Sequence, residues 1–283
     1  MASIVTSGSH PTANCFVVLD RQGDCRLVVG DMTVHDAITA EWIESHLGAI
    51  QNSSLVVMDS NVGRAAMKSI CELCVRYDKP VLFEPTDMRI ASRPFQLSPD
   101  NFKVIRFITP NLYELRDIAK SLSYTGTIST AQVENVNDPR KLLAEVHQLA
   151  SFINRYVDNV IVTLGSHGVA ILRRNLQEQP FFDQRGDYLK PLPVGSDERT
   201  AQLRFYQGRP KQHIVNVSGA GDSFSSGFIA AMLDGQPEPV CVNVGFEAAC
   251  CALGSKGAVA ERYFDREHSC WQTTNGADFI TFQ

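Results

Sequence analysis

Compact apolar runs recur along the chain and are separated by segments in which apolar residues follow helical spacing. The runs are short enough for buried strands, and the intervening segments place their apolar side chains on one helix face. Strands separated by helices, with continuous rather than alternating apolar character, indicate a parallel sheet with helices on both faces. The pattern therefore predicts an α/β fold. The predicted strands are residues 55–58, 81–83, 104–108 and 160–164, and the predicted helices are 39–50, 64–77, 112–121, 139–156, 223–233 and 239–253.

Two segments depart from this alternation. Residues 16–19 and 26–29 are apolar and flank Asp20-Arg21-Gln22-Gly23-Asp24, where Gly23 can take a positive φ, so a small β-hairpin is predicted near the N-terminus. Residues 173–213 are rich in Gln, Arg, Asp, Pro and Gly and show no clean period, which indicates a loop insertion outside the sheet. No function is predicted for that insertion.

Composition limits the classes of partner. With 44% hydrophobic residues among 283, the chain can bury a full core. Its 26 Lys and Arg against 31 Asp and Glu give a net charge of −5, which provides no general attraction for nucleic acid. No apolar run approaches the ~20 residues that cross a bilayer, and the first residues lack a basic or hydrophobic leader. We therefore expect a cytoplasmic protein without nucleic-acid or membrane partners and with no evident mitochondrial or peroxisomal targeting.

The eight cysteines are too sparse for a disulfide scaffold, so reduced thiols are expected. Cys71 and Cys74 form a C-x-x-C, but they lie in a predicted helix, with no second Cys pair or His pair at zinc-finger spacing. Packing on the helix face is the favoured interpretation, and metal or redox chemistry is the alternative. The seven histidines are scattered singly, so no zinc site is predicted.

The most informative segment is a turn of small residues between the strand-like residues 214–215 and a helix predicted to start near Asp222. It reads Ser218-Gly219-Ala220-Gly221, which lets the backbone approach a ligand closely. Free N–H groups at the helix start form an anion site that suits a phosphate. Asp222 lies at the mouth of that site, where it could accept a proton from an attacking hydroxyl. The alternative is that Asp222 is only a helix N-cap.

Two further segments lie at the ends of predicted strands, where open α/β sheets bind ligands. Asn111 and Glu114 open a helix after the strand 104–108, and their spacing equally fits a capping box. Thr163-Leu164-Gly165-Ser166-His167-Gly168 ends another strand in a glycine turn, which is either a β-turn or a loop around a nucleotide.

Together and in this order, the three segments resemble the pfkB family of carbohydrate and nucleoside kinases. That family has an N-x-x-E element, a T-x-G-x-x-G strand and turn, and a D-T-x-G-A-G-D signature near the C-terminus. Here they read Asn111-Leu112-Tyr113-Glu114, Thr163 to Gly168 as above, and Asn216-Val217-Ser218-Gly219-Ala220-Gly221-Asp222. The resemblance covers residues 13–257. It implies a ribokinase-like three-layer α/β/α fold with a mostly parallel central sheet, and one kinase domain over residues 1–283.

The resemblance also implies a phosphoryl-transfer site. Asp222 would deprotonate the acceptor hydroxyl. Gly219, Ala220 and Gly221 would form the anion hole for the transferring phosphate through their N–H groups.

Cofactors follow from the same resemblance, which implies ATP and Mg²⁺. Asn111 and Glu114 would organise the metal and its waters. Residue Asn216 stands where the family has Asp, which leaves open whether a monovalent-cation site is retained. The nucleotide-binding residues implied are Thr163, Gly165, Gly168 and Ser218 along the ATP, with Gly245 and Ala249 bordering the adenine.

Within the family, the chain is most similar to the pseudouridine-kinase branch. The signature has Asn-Val in place of Asp-Thr. Two further features are the segment Gly30-Asp31-Met32 followed by Asp36-Ala37-Ile38-Thr39-Ala40-Glu41, and the segment Val57-Met58-Asp59-Ser60-Asn61 followed by Phe83-Glu84-Pro85-Thr86. The implied reaction is phosphorylation of the 5′-hydroxyl of a ribose-containing substrate, pseudouridine to pseudouridine 5′-phosphate. A ribokinase-like or adenosine-kinase-like enzyme with another acceptor is the alternative. A plain Rossmann oxidoreductase is excluded because no early G-x-G-x-x-G follows the first strand.

The largest departure from the family pattern is at the front. Family members begin with a strand ending in a substrate-binding Asp, a Gly-Gly turn and an Asn-containing helix, and nothing before Thr12 fits that segment. We therefore expect an N-terminally incomplete domain with half of the sugar pocket missing. A non-catalytic, nucleotide-binding shortened form is thus a further alternative. The expected substrate is a small nucleoside or sugar. The chain is expected to form a homodimer or to associate with a fused or separate glycosidase domain.

Overall fold

The computed structural model describes residues 4, 6–19, 25–131, 139–174, 178–191, 202–209 and 214–282. The chain divides into two compact units, Met1–Arg106 and Phe107–Gln283. Within the described residues, no helix is both long and apolar enough to cross a bilayer.

The first unit opens with an antiparallel pair of strands, β1 (Asn14–Leu19) and β2 (Cys25–Asp31), which confirms the predicted strands near the N-terminus. The turn predicted at residues 20–24 lies outside the described residues. Several apolar side chains of this pair are exposed, with Phe16 at 73%. The small sheet therefore buries little of its own apolar surface.

The rest of the first unit alternates helices and strands as predicted. Strands β3 (Val56–Asp59) and β4 (Val81–Glu84) pair in parallel, with Val56 opposite Val81. The strand predicted at 55–58 is present, but the prediction that it is buried is wrong, because β3 is the end strand of its sheet and Val57 is 54% exposed. The elements are α1 (Ala40–Ser45), α2 (Leu47–Asn52), β3 (Val56–Asp59), α3 (Arg64–Arg76), β4 (Val81–Glu84) and α4 (Pro99–Phe102).

The C-x-x-C pair lies on the buried face of α3, as the packing interpretation predicted. Cys71 and Cys74 are fully buried. Burial raises the pKa of each thiol to about 12, so neither forms the reactive thiolate at neutral pH.

The larger sheet adds strands β5 (Ile105–Ile108), β6 (Asn159–Thr163), β7 (Gly168–Arg173), β8 (Leu203–Gln207) and β9 (Ile280–Phe282). Its strand order is β3-β4-β5-β6-β7-β8-β9, and the boundary between the two units falls within β5. Strands β5 and β6 are parallel, whereas β6 to β9 form successive antiparallel pairs. The elements that complete the second unit are β5 (Ile105–Ile108), α5 (Leu112–Ser121), α6 (Pro139–Ile153), β6 (Asn159–Thr163), β7 (Gly168–Arg173), β8 (Leu203–Gln207), α7 (Ala220–Leu233), α8 (Glu238–Leu253) and β9 (Ile280–Phe282).

The antiparallel half of the sheet was not predicted. Strand β7 follows β6 after one short turn, which leaves no room for the crossover helix that a parallel pair needs. The prediction of a loop throughout 173–213 is wrong for Leu203–Gln207, because this segment is strand β8, whose first four residues are buried. The remaining parts of the insertion at 175–177, 192–201 and 210–213 lie outside the described residues.

One buried carboxylate joins the antiparallel strands to α8. Glu238 accepts a hydrogen bond from the Tyr206 hydroxyl at 2.7 Å and one from Arg173 at 3.4 Å, and Arg204 lies 3.7 Å away. Burial raises the pKa of Glu238, and the charge of Arg173 opposes that shift. The carboxylate thus holds β7 and β8 against the start of α8.

We expect Glu238→Gln to lower the free energy of unfolding by about 3–5 kcal/mol, because it removes the buried charge that faces the Arg173 and Arg204 guanidinium groups. Urea denaturation measures this change. The matched control is Glu247→Gln, whose carboxylate makes a partly exposed pair with Arg209 at 3.6 Å and should cost no more than about 1 kcal/mol. Equal losses in both variants would contradict a central role for Glu238.

Candidate active site

The segment before α7 is irregular and exposed. The prediction of a strand at residues 214–215 is wrong: Ile214 and Val215 are exposed and lie in no strand. Instead the Val215 N–H donates to the Leu253 carbonyl at 2.8 Å, at the end of α8. Ile214 and Val215 therefore belong to a loop that is hydrogen-bonded to the C-terminal end of α8.

Helix α7 begins at Ala220 with Gly219 as its N-cap. Gly219 has φ 75°, in the left-handed region, and a Cβ there would overlap the carbonyl oxygen of Ala258. Only glycine meets both conditions without strain. The alternative that Asp222 is the N-cap is wrong, because Asp222 is the third residue of the helix.

The first turn of α7 presents unpaired N–H groups, as a helix start does. The Ala220 N–H donates weakly to Val217 at 3.4 Å, and the Ser223 N–H donates to Gly219 at 2.9 Å. Among the described residues, none accepts a hydrogen bond from the N–H of Gly221 or Asp222. These groups, with the positive end of the helix dipole, can bind an anion.

The carboxylate of Asp222 is exposed beside these N–H groups. In the described part of the chain, no side chain forms a hydrogen bond or ion pair with it. It is therefore accessible to an incoming hydroxyl, which a general base must be. An acidic residue in the first turn also stabilises a helix through the dipole, so the position alone does not decide between these roles.

Asn216 shapes the loop that leads into this turn. Its side-chain oxygen accepts the Ser218 N–H at 2.9 Å, and its amide donates to the Lys256 carbonyl at 3.2 Å. Ser218 is half-buried. The side chain thus fixes the turn and ties it to the segment after α8.

The predicted metal residues form a capping box at the start of α5. The Asn111 side chain accepts the Glu114 N–H at 3.0 Å, and Glu114 accepts the Asn111 N–H at 2.8 Å. Glu114 is only 4% exposed. The capping interpretation is confirmed, and a role for this pair at Mg²⁺ stays a prediction.

The structure places the T-x-G-x-x-G element beside the N-x-x-E element. The Thr163 N–H donates to Pro110 at 2.9 Å, and Thr163 pairs with Asn111 in a parallel bridge. The N-x-x-E and T-x-G-x-x-G elements therefore meet at the ends of β5 and β6.

The two glycines of that turn have different surroundings. Gly165 has φ 57° and is exposed, with open space where a Cβ would lie. Gly168 has φ 123° and is buried, and a Cβ there would overlap the Tyr206 carbonyl. Gly165 can thus adjoin a ligand, whereas the close packing of β7 on β8 already explains Gly168.

The predicted adenine border lies on α8. Gly245 is buried, and a Cβ there would come within 2.7 Å of the Phe224 ring on α7. Ala249 is half-buried one turn further along. A close helix contact therefore accounts for Gly245 in the absence of any ligand.

Sequence reasoning missed the segment 256–263, which lies against the start of α7. Ala258 contacts Gly219, Lys256 accepts from Asn216, and Tyr263 lies 2.9 Å from Ser223 between hydroxyl oxygens. No periodicity or motif in 256–263 signals these contacts, because they arise only when α7 and α8 pack together.

Comparisons with known proteins bear on this arrangement. The model of the pfkB family carbohydrate kinase matches residues 1–262. The chain belongs to this family. The match confirms the predicted family and the enzyme class that it implies, an ATP-dependent phosphotransferase.

Two curated members of this family are similar in sequence. The pseudouridine kinase of Arabidopsis thaliana is 22% identical over 267 residues, which cover 87% of this chain and 69% of that protein. The pseudouridine kinase of Escherichia coli (strain K12) is 23% identical over 242 residues, covering 86% of this chain and 61% of that protein. The chain thus spans about two thirds of the length of these relatives.

A solved relative has the same fold. The Arabidopsis thaliana ribokinase complexed with ribose and ATP superposes with a TM-score of 0.59 at 19% identity, covering 89% of this chain and 67% of the ribokinase chain. The predicted ribokinase-like α/β/α fold is confirmed. The antiparallel strands β6 to β9 complete it.

We expect Gly219→Ala to lower the free energy of unfolding of this pfkB-family protein by at least about 2 kcal/mol, because the new Cβ is strained at φ 75° and overlaps Ala258. The matched control is Gly221→Ala, since Gly221 has open space around it and lies in regular helix. That variant should keep or gain about 0.5–1 kcal/mol. Thermal unfolding compares the two, and equal stability of both variants would contradict the constraint at 219.

Proposed function

We propose that this chain transfers the terminal phosphoryl group of ATP to the 5′-hydroxyl of pseudouridine. The observation that carries the proposal is the exposed Asp222 carboxylate beside the N–H groups of Gly221 and Asp222, none of which has a partner among the described residues. Base and anion site adjoin there, as phosphoryl transfer requires. The similarity to two pseudouridine kinases supports the choice of acceptor.

In the proposed reaction, Asp222 takes the proton of the acceptor hydroxyl as its oxygen attacks the terminal phosphorus. The bond from that phosphorus to the bridging oxygen breaks, and ADP leaves. The N–H groups of Gly221 and Asp222, with those of Gly219 and Ala220, stabilise the negative charge on the transferring group.

Nucleotide and metal sites follow from the same proposal. The exposed left-handed turn at Gly165 gives room for the phosphates. Thr163 and Ser218 would lie along the ATP, as the family resemblance implies. The remaining nucleotide contacts, at Gly168, Gly245 and Ala249, rest on the family resemblance. Asn111 and Glu114 are oxygen ligands of the kind that Mg²⁺ accepts, and they would hold it through its waters. Bound Mg²⁺ supplies positive charge that neutralises the phosphate oxygens.

The proposal includes one kinase domain over residues 1–283 acting on a small nucleoside. A homodimer is supported by the exposed apolar side chains of β1 and β2, such as Phe16 and Val29.

We expect the wild-type chain, incubated with Mg-ATP, to form pseudouridine 5′-phosphate in preference to products of ribose or adenosine, measured by mass spectrometry. Asp222→Asn should lower turnover by about 10²–10⁴-fold, because it removes the proton acceptor. Binding of Mg-ATP, measured by calorimetry, should change less than about threefold.

The matched control is Asp100→Asn, which alters an exposed carboxylate paired with Lys103 and should leave turnover unchanged. Turnover that survives Asp222→Asn would contradict the base. A preference for ribose or adenosine would replace pseudouridine as the acceptor, and ATP binding without product from any acceptor would favour a non-catalytic form.

The Mg²⁺ role of Glu114 can be separated from its capping role. Glu114→Gln retains an oxygen that can accept the Asn111 N–H, so the free energy of unfolding should change by less than about 1 kcal/mol. Loss of the charge should raise the Mg²⁺ concentration for half-maximal activity about tenfold or more. The control Glu72→Gln changes an exposed carboxylate on α3. An unaltered Mg²⁺ dependence would mean that Glu114 serves only as a cap.

A further inference from the structure

The first turn of α7 has no side-chain N-cap. Its N-cap is Gly219, which makes no side-chain hydrogen bond to the helix. The loop before it lies in no strand. The orientation of this turn therefore depends on contacts from elsewhere in the second unit.

Those contacts come from residues 256–263, which we call the brace. The Lys256 carbonyl accepts from the Asn216 amide, and the Ala258 backbone lies against Gly219. At its end, the Tyr263 hydroxyl lies 2.9 Å from the Ser223 hydroxyl. The brace thus meets the segment 216–223 at three points along its length.

Tyr263 is fixed within the brace as well as against α7. Its hydroxyl accepts the Ala260 N–H at 3.3 Å, so it can donate its own proton to Ser223. Ser223 is 6% exposed, whereas the Tyr263 side chain is partly exposed. A hydrogen bond between two hydroxyls therefore connects the brace to the residue that follows Asp222.

This position matters for the proposed reaction. Ser223 is adjacent to Asp222 on the first turn, and a displacement of that turn would move both the carboxylate and the free N–H of Gly221. Phosphoryl transfer depends on positioning, and a misplacement of about 1 Å can cost 10²-fold in rate.

We propose that Tyr263 is a positioning residue, which acts through Ser223 to hold the first turn of α7 in the geometry that phosphoryl transfer needs. The inference rests on the proposed function. It goes beyond the family assignment, since Tyr263 lies outside the residues 1–262 that match the family model.

The test measures steady-state kinetics of Tyr263→Phe, which removes only the hydroxyl. We expect kcat to fall about five- to tenfold, with KM for ATP and for the acceptor within twofold of wild type. Ser223→Ala should have a similar effect, and the double variant should lose no more than either single variant, because both changes remove the same bond. The control Tyr124→Phe removes a hydroxyl from a tyrosine that packs on Phe152, and it should leave kcat unchanged.

Hydrogen exchange supplies a readout that does not need turnover. Amides of the first turn of α7 should exchange about fivefold faster in Tyr263→Phe than in wild type or Tyr124→Phe. Faster exchange with wild-type kcat would make the bond merely structural and overturn the proposal, as would single-variant losses that multiply in the double variant.

Turnover of the wild-type chain distinguishes failure of the proposed function from failure of the role proposed for Tyr263. A wild-type chain without product from any acceptor would remove that function, and with it the reaction that Tyr263 is proposed to serve. A wild-type chain that turns over, together with an unaltered Tyr263→Phe, would overturn the role of Tyr263 alone.

Discussion

The site depends on the left-handed backbone at Gly219, which lies against the Ala258 carbonyl. This contact lets the chain turn from an irregular loop directly into α7 while residues 256–263 pack against the turn. A side chain at 219 would force either the loop or residues 256–263 to move. Because the free N–H groups and Asp222 belong to the next three residues, their positions follow from this one glycine.

Most residues of the family motifs have a structural role in this protein. Asn111 and Glu114 cap α5. Gly168 allows β8 to pack closely on β7, and Gly245 allows the Phe224 ring to pack against α8. Asn216 closes the turn before α7. By contrast, none of the described residues pairs with the exposed Asp222 carboxylate or with the Gly221 N–H, so packing does not account for these two groups. These two groups are therefore the strongest candidates for a catalytic role.

The antiparallel half of the sheet supports the site indirectly. Strands β7 and β8 are held to the start of α8 by the buried Glu238, and α8 in turn packs on α7. The end of α8 then leads into the residues that lie against Gly219. A carboxylate far along the chain thus contributes to the stability of the layer that carries the proposed base.

The sequence by itself determined the alternation of strands and helices, the family, and the candidate residues, because apolar periodicity and the spacing of short motifs are local properties. It predicted α5 at residues 112–121, where capping box and periodicity agree. It could not decide between cap and ligand for Asn111 and Glu114, nor place Asp222 in the third helical position. Tertiary structure decided those points, together with the strand at 203–207 and the contact of Tyr263 with Ser223, because each depends on residues distant in sequence that meet only when the helices and strands pack.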